Sequence, residues 1–248
     1  MRGGFDGSVA PMPLSVSRTA LARMRIPMPP VPLIMSSPPP APARRSRCAR
    51  CLRPDATCLC AWIRPVRTAV DLLVLQHPLE VHAAKGSARL LHLSVQGSRL
   101  LEGESFDSEQ LQALLYAGAR TPILLYPDTP DHRSLGIPLP PALPAAIGEP
   151  SGLRLVILDG TWRKSRKMLY LNPALQQLPR LSLRAMPPSH YRIRKAHAAD
   201  QLSTLEAACY ALGQLERDGT TFLPLIDAFD GFVDMLAQYQ TTGHSPVR

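Results

Sequence analysis

Four short runs mark the chain, the first three closed by a proline or an acid. They are "AVDLLVLQHP" (69–78), "TPILLYP" (121–127), "LRLVILD" (153–159) and "PRLSL" (179–183). Their brevity and continuity predict strands buried on both faces rather than amphipathic helices. Helical spacing lies between and after them. "HAAKGSARLLHLS" (82–94) carries Ala83, Leu90 and Leu91 toward an apolar side, and "WRKSRKMLYLN" (162–172) follows the third strand. "STLEAACYALGQLERDG" (203–219) has the clearest ends, with Ser203 or Thr204 as cap, Glu206 three residues after Ser203, and Gly219 beyond its last turn. A last amphipathic helix spans about 222–240. From Asp128 to Gly152 proline and glycine are dense, which predicts a loop with room for one short helix at "PALPAAI". Strands alternating with helices give an α/β fold with a mostly parallel sheet. Ligands in such sheets bind where loops leave the carboxyl ends of strands. The exits here are "QHPLE" (76–80), "LLYPD" (124–128) and "LDGTW" (158–162).

Composition changes this picture at both ends. Residues 1 to 43 are rich in Pro, Ser, Ala and Arg and have few apolar anchors, so a disordered tail is expected. A transit segment and a start at Met24 or Met35 are both open readings of that tail. There is no apolar run of about 18 residues, so no membrane-spanning helix is expected. The formal charge of +9 favours an anionic partner, nucleic acid first. Glycine-rich nucleotide motifs of the Rossmann and P-loop kinds are absent.

Cys48, Cys51, Cys58 and Cys60 form C-x2-C-x6-C-x-C. Four thiolates this close can enclose one structural Zn²⁺ and leave it no open position. Disulfides are disfavoured without a secretory signal, and an iron–sulfur cluster is a lesser alternative. Cys209 falls on the apolar side of its helix and is expected in the core.

From Gly160 to Ala199 there are nine Lys or Arg and no Asp or Glu. Trp162, Tyr170, His190, Tyr191 and His197 are interleaved with them. Cations suit phosphate, and aromatics suit an unpaired base. A merely soluble basic surface is the plainer alternative.

Asp159 ends the third strand just before Gly160, and a carboxylate there can take a proton or hold a substrate. It can equally cap the helix that follows. His77 at "QHP" is either structural or a site residue. Lys85 can pair with a carboxylate or phosphate, or simply be solvated. Ser203 and Thr204 at a helix start offer hydroxyls and N–H groups to an anion. Glu206 completes a capping box or binds an ammonium, and Trp162 stacks on a base or fills the core.

With these residues in place, the chain resembles the DTW-domain proteins, which are tRNA-uridine aminocarboxypropyltransferases. The segments that carry the resemblance are "CARCLRPDATCLC", "LQHPLE", "KGSARLLHLS", "LLYP", "LDGTWRKSRKML" and "YRIRK…LSTLEA", in that order. It runs from about Cys48 to the last helix and leaves out the N-terminal tail. The resemblance implies an α/β, SPOUT-like fold: a mostly parallel sheet with helices on both faces and a knotted cofactor site, beside a small N-terminal zinc module of four cysteines. The expected organisation is a tail over 1–43, a zinc module over 44–66 and a catalytic domain over 67–242. The implied reaction moves the 3-amino-3-carboxypropyl group of S-adenosylmethionine to N3 of a tRNA uridine and leaves methylthioadenosine. Bacterial members act on the variable loop and others on the D-loop. Carried over by position, Asp159 is the catalytic residue. The cofactor residues are Leu124, Leu125, Tyr126, Pro127, Gly160, Thr161, Trp162, Leu202, Ser203, Thr204 and Glu206. Substrate RNA is expected at His77, Lys85, Arg163, Lys164, Arg166, Lys167, Tyr191, Arg192, Arg194 and Lys195, and zinc at the four cysteines. A cytoplasmic monomer is expected, with tRNA as partner and no membrane. A SPOUT-type RNA methyltransferase and a non-catalytic zinc-containing RNA-binding protein are the alternatives. The proline-rich stretch 128–152 departs from the family's pattern.

Overall fold

A computed structural model of the chain describes residues 46–83, 86–128, 136–144, 146–183 and 202–241. Five strands form one sheet: β1 (Asp71–Gln76), β2 (Arg99–Glu102), β3 (Thr121–Leu125), β4 (Leu153–Asp159) and β5 (Arg180–Leu181). Their order is β2-β1-β4-β3-β5, and every pairing is parallel. Side chains alternate across a strand, so continuous apolar runs bury both faces. Leu72, Val74, Leu155 and Ile157 face α1 (Ser87–Ser94), α5 (Thr204–Glu216) and α6 (Leu223–Thr241). Leu73, Leu75, Val156 and Leu158 face α2 (Ser108–Tyr116), α3 (Trp162–Leu171) and α4 (Pro173–Gln176). Helices therefore cover both faces. The chain leaves β1 toward the β2 edge and β4 toward the β5 edge, so the strand order reverses between β1 and β4. Open α/β sheets bind ligands at the carboxyl ends of their strands.

The expected strands lie close to the observed ones, and β4 has the expected bounds. Three elements were not anticipated: β2, α2 and the single-turn α4. β2 is a four-residue edge strand, too short to show alternation. α2 did carry a signal: Asp107 accepts from the N–H of Gln110 at 2.9 Å, ahead of the buried Leu111 and Leu115. α1 starts at Ser87, later than the spacing suggested, with Gly86 (φ −60°, ψ 89°) as its non-helical cap. The short helix allowed at "PALPAAI" is not there: among the described residues of 136–149 the chain is irregular. Pro138, Pro140, Pro141 and Pro144 remove the donors a helix needs.

At the amino ends of the strands, Asp71 holds the sheet together. It pairs with Arg99 and Arg120, both at 2.9 Å, and with Arg154. Arg154 is 1% exposed and also donates to the carbonyls of Leu114, Leu115 and Ala117 at the end of α2. Burial would raise the Asp71 carboxyl, but the Arg154 guanidinium and its two companions outweigh it and hold the carboxyl below its ordinary range.

The cysteine segment leans on α6. Leu59 and Cys51 are buried in the same cluster as Phe229 and Phe232. The Arg53 guanidinium lies 5.0 Å over the Phe232 ring. Trp62 packs so close to Gly231 that a Cβ there would fall 2.1 Å from its ring. No helix among the described residues is long and apolar enough to cross a membrane.

Candidate active site

A cleft of about 260 Å³ opens at the carboxyl ends of β3, β4 and β5. Its floor is apolar, with Leu125, Ile157 and Leu181. Tyr126 and Trp162 meet edge to face at 6.2 Å between centroids on one side, and Ser203 and Thr204 stand on another. Of the expected cofactor residues, the cleft collects Leu125, Tyr126, Pro127, Gly160, Trp162, Leu202, Ser203 and Thr204. Leu124 is wholly buried on the α2–α4 face of the sheet, and Thr161 and Glu206 serve as helix caps instead. Ile157, Leu158, Ser165, Leu181, Leu183 and Ala207 also line the cleft and were not anticipated. Leu183 and Leu202, the described residues on either side of 184–201 in the sequence, both line the cleft.

Asp159 is 7% exposed and does not line this cleft, although its chain neighbours Leu158 and Gly160 and its partner Thr204 do. Its Oδ2 accepts from Nε2 of Gln76 at 2.8 Å, and its Oδ1 accepts from the Thr204 hydroxyl at 2.6 Å. Its main-chain carbonyl accepts from His77 N–H at 3.0 Å. β1, β4 and α5 are thus gathered on one residue. The helix cap is a different residue: Thr161 accepts from Lys164 N–H at the start of α3. Asp159 instead joins segments far apart in the chain. Gly160 sits in a close approach: a Cβ there would lie 3.1 Å from Lys164 Cβ, so the first turn of α3 would have to shift by a few tenths of an ångström.

His77 is buried with both ring nitrogens engaged. Nδ1 accepts from Leu79 N–H at 3.1 Å, so Nε2 carries the proton and donates to Glu104 at 2.8 Å. Contact with a substrate would require one of these bonds to be exchanged. Glu104 also pairs with Lys167 at 2.8 Å; that ammonium first, and His77 second, hold its carboxyl below the ordinary range. Asn172, at the end of α3, fixes the Glu104 turn: it donates to the Glu104 carbonyl at 2.9 Å and accepts from Phe106 N–H at 2.9 Å. Lys164 pairs with Glu80 at 2.7 Å. Sequence reading missed Gln76, Glu80 and Glu104. Gln76 carried a weak signal, as a polar residue closing an apolar strand next to His77.

α5 begins with a complete capping box. Ser203 Oγ accepts from Glu206 N–H at 3.2 Å, and Glu206 Oε2 accepts from Ser203 N–H at 2.8 Å. The N–H groups of Thr204 and Leu205 have no such partner among the described residues, and they sit where a helix start favours negative charge. Lys85, Tyr191, Arg192, Arg194 and Lys195 lie outside the described residues.

The four N-terminal cysteines meet, with every Sγ within 4.8 Å of the others. Cys48 and Cys60 are 3.6 Å apart, and Cys51 and Cys58 are 3.7 Å apart. Tetrahedral zinc with Zn–S near 2.3 Å needs sulfurs about 3.8 Å apart, so the cluster has the right size. All five cysteines are free thiols. Backbone N–H groups of Cys51 and Arg50 lower Cys48 to about 6, whereas burial first and the neighbouring sulfurs next push Cys60 up to about 12. A dication among the four would relieve that opposition. Cys209, buried in the core as expected, is pushed up to about 12 by burial.

Comparison with known proteins gives a consistent result. The family model described as the DTW domain matches residues 45–237. The protein named tRNA-uridine aminocarboxypropyltransferase 2 of Drosophila melanogaster is 30% identical over 182 residues, covering 71% of this chain and 68% of that one. Its namesake in Macaca fascicularis is 29% identical over 181 residues, and this chain spans only 58% of its length. tRNA-uridine aminocarboxypropyltransferase A of Arabidopsis thaliana is 23% identical over 197 residues, covering 71% of this chain and 75% of that one. No solved structure matches significantly.

Proposed function

The chain belongs to the DTW-domain family, and from that premise we propose that it is a tRNA-uridine aminocarboxypropyltransferase. The donor is S-adenosylmethionine. Uridine N3 attacks the γ-carbon of its methionine arm, the carbon–sulfur bond breaks toward sulfur, methylthioadenosine leaves, and the N3 proton passes to solvent. The carrying observation is the Gln76–Asp159–Thr204 junction, joined through Thr204 to a cleft lined by all three proposed cofactor loops.

The cleft suits such a donor. Apolar Leu125, Ile157 and Leu181 with aromatic Tyr126 and Trp162 fit an adenosine, and the start of α5 fits the carboxylate of its amino-acid arm. Three carbons flank a sulfonium, and the one held in line with the nucleophile reacts. Asp159 serves this alignment as a fixed acceptor. With both oxygens taking hydrogen bonds, it locks the first turn of α5 to the exits of β1 and β4.

Within the proposal the fold is SPOUT-like with a knotted cofactor site, and the organisation is a tail, a cysteine module and a catalytic domain. Zn²⁺ at Cys48, Cys51, Cys58 and Cys60 is structural, holding the segment that packs on α6. A reducing cytoplasm agrees with free thiols, and the protein is taken to act there as a monomer. The basic residues Arg163, Lys164, Arg166, Lys167, Arg192, Arg194 and Lys195, with Lys85, His77 and Tyr191, are proposed to face tRNA.

The test uses purified protein, bulk tRNA and donor labelled either in the methyl or in the carboxyl carbon. Carboxyl label in a modified uridine, with methylthioadenosine released, is the expected result. Transfer of the methyl label alone would make it a methyltransferase, and no transfer with tight tRNA binding would leave only an RNA-binding protein.

A further inference from the structure

The cationic helix beside the cleft does not present its charges evenly. α3 buries Ser165, Met168 and Leu169, a stripe at i, i+3 and i+4. The opposite arc carries Trp162, Arg163, Arg166, Lys167 and Tyr170 in the open. Trp162 is 48% and Tyr170 60% exposed. From Gly160 to Leu183 the chain has no Asp or Glu. Acids nevertheless reach α3 from other elements, and they choose the lysines: Glu80 takes Lys164 and Glu104 takes Lys167. Arg163 and Arg166 make no ion pair among the described residues.

The lysines therefore brace α3 against the β1 and β2 exits, while the arginines stay available for phosphate, which a guanidinium grips in a bidentate fork. Trp162 and Tyr170 are eight residues apart, about 12 Å along the axis, with Arg166 one turn from each. Trp162 also borders the cleft, so this row starts at the reaction centre and runs outward. A duplex offers such a row only phosphates. An unpaired strand also offers bases that can lie on the rings.

We infer that the outer face of α3 is a docking track for unpaired RNA, with Tyr170 as a base-stacking station and Arg163 and Arg166 as its phosphate contacts. This rests on the tRNA reading above and extends it: the substrate strand next to the target uridine is held splayed rather than paired.

Binding of fluorescently labelled oligouridylate and of a labelled RNA duplex to the full chain tests this without any transfer reaction. Oligouridylate is expected to quench the exposed Trp162. Tyr170→Ala is expected to weaken it about tenfold, while Tyr170→Phe, which keeps the ring, binds as the parent does. Arg163→Gln and Arg166→Gln each lower the salt slope by about 0.7. Unchanged oligouridylate binding in Tyr170→Ala and Arg163→Gln, or equal loss of duplex and single strand in Tyr170→Ala, overturns the track. The two readings fail separately. Loss of oligouridylate in Tyr170→Ala by a protein that transfers nothing keeps the track and removes the transferase. An unchanged KM for tRNA in an active Tyr170→Ala enzyme does the reverse.

Discussion

Two largely buried aspartates stand at opposite ends of neighbouring strands, and their surroundings differ in kind. Asp71 opens β1 and Asp159 closes β4. Asp71 meets the guanidiniums of Arg99, Arg120 and Arg154, which together reach the starts of β2, β3 and β4. Among the described residues Asp159 accepts from an amide and a hydroxyl, Gln76 and Thr204, on the rims of a cleft. The first arrangement matches charge with charge and seals one end of the sheet. The second, on the proposal above, holds segments in line around a ligand through Gln76 and Thr204. A buried carboxylate is thus evidence of function only through what its partners are attached to.

The strongest way to break the comparison is Arg154→Ala. It leaves Asp71 short of its most buried partner and opens the bonds to the end of α2. A stability loss of about 3–5 kcal/mol is expected in urea unfolding, with donor binding retained in the protein that remains folded. A shift of the midpoint too small to measure would mean that the amino end is not an anchor. Asp159→Asn should do the opposite. Transfer is expected to fall about a hundredfold through lost alignment, with unfolding moved by about 1–3 kcal/mol, because an amide NH2 takes the place of one buried acceptor. If Asp159 were instead the proton acceptor, the pH profile of the residual rate would change shape as well as height.

Gly231→Ala probes a third place, where α6 meets Trp62. Overpacking there should cost about 1–3 kcal/mol, and zinc content read by metal analysis should fall with it if the cysteine segment depends on that contact. The smallest effect is with pH. The Asp71 carboxyl is lowered in the folded state, so its contribution is fully present above the unfolded value of about 3.9 and is lost as pH falls through the lower folded value. Glu104, held down by Lys167 and His77, has the same sign. Urea midpoints taken downward from pH 5 should decline, and Asp71→Asn should flatten that decline while lowering the midpoint at neutral pH.

Much of the fold was legible because its signals are local. β4 reads as seven residues buried throughout, and α5 announces its start through Ser203 and Glu206. β2 was not legible, since a short edge strand half-exposed in a sheet has neither alternation nor a long apolar run. The cysteine spacing led directly to the sulfur cluster. At the site, the strand-exit rule found the loops but could not distinguish wall from floor. Leu124 and Leu125 are neighbours, yet pleating sends Leu125 to the cleft and Leu124 to the opposite core.

By itself, then, the sequence determined the α/β alternation, the exits where a ligand would bind, the cysteine cluster and the acid-free basic run. These follow from periodicity, turn residues and spacing within a few positions of one another. Only the tertiary structure decided what each charged group faces. It gave the cap of α3 to Thr161 and left Asp159 for Gln76 and Thr204, and it matched the lysines of α3 to Glu80 and Glu104. Those partners are brought together by strand register and by helices folding back over the sheet, and sequence distance carries no record of either.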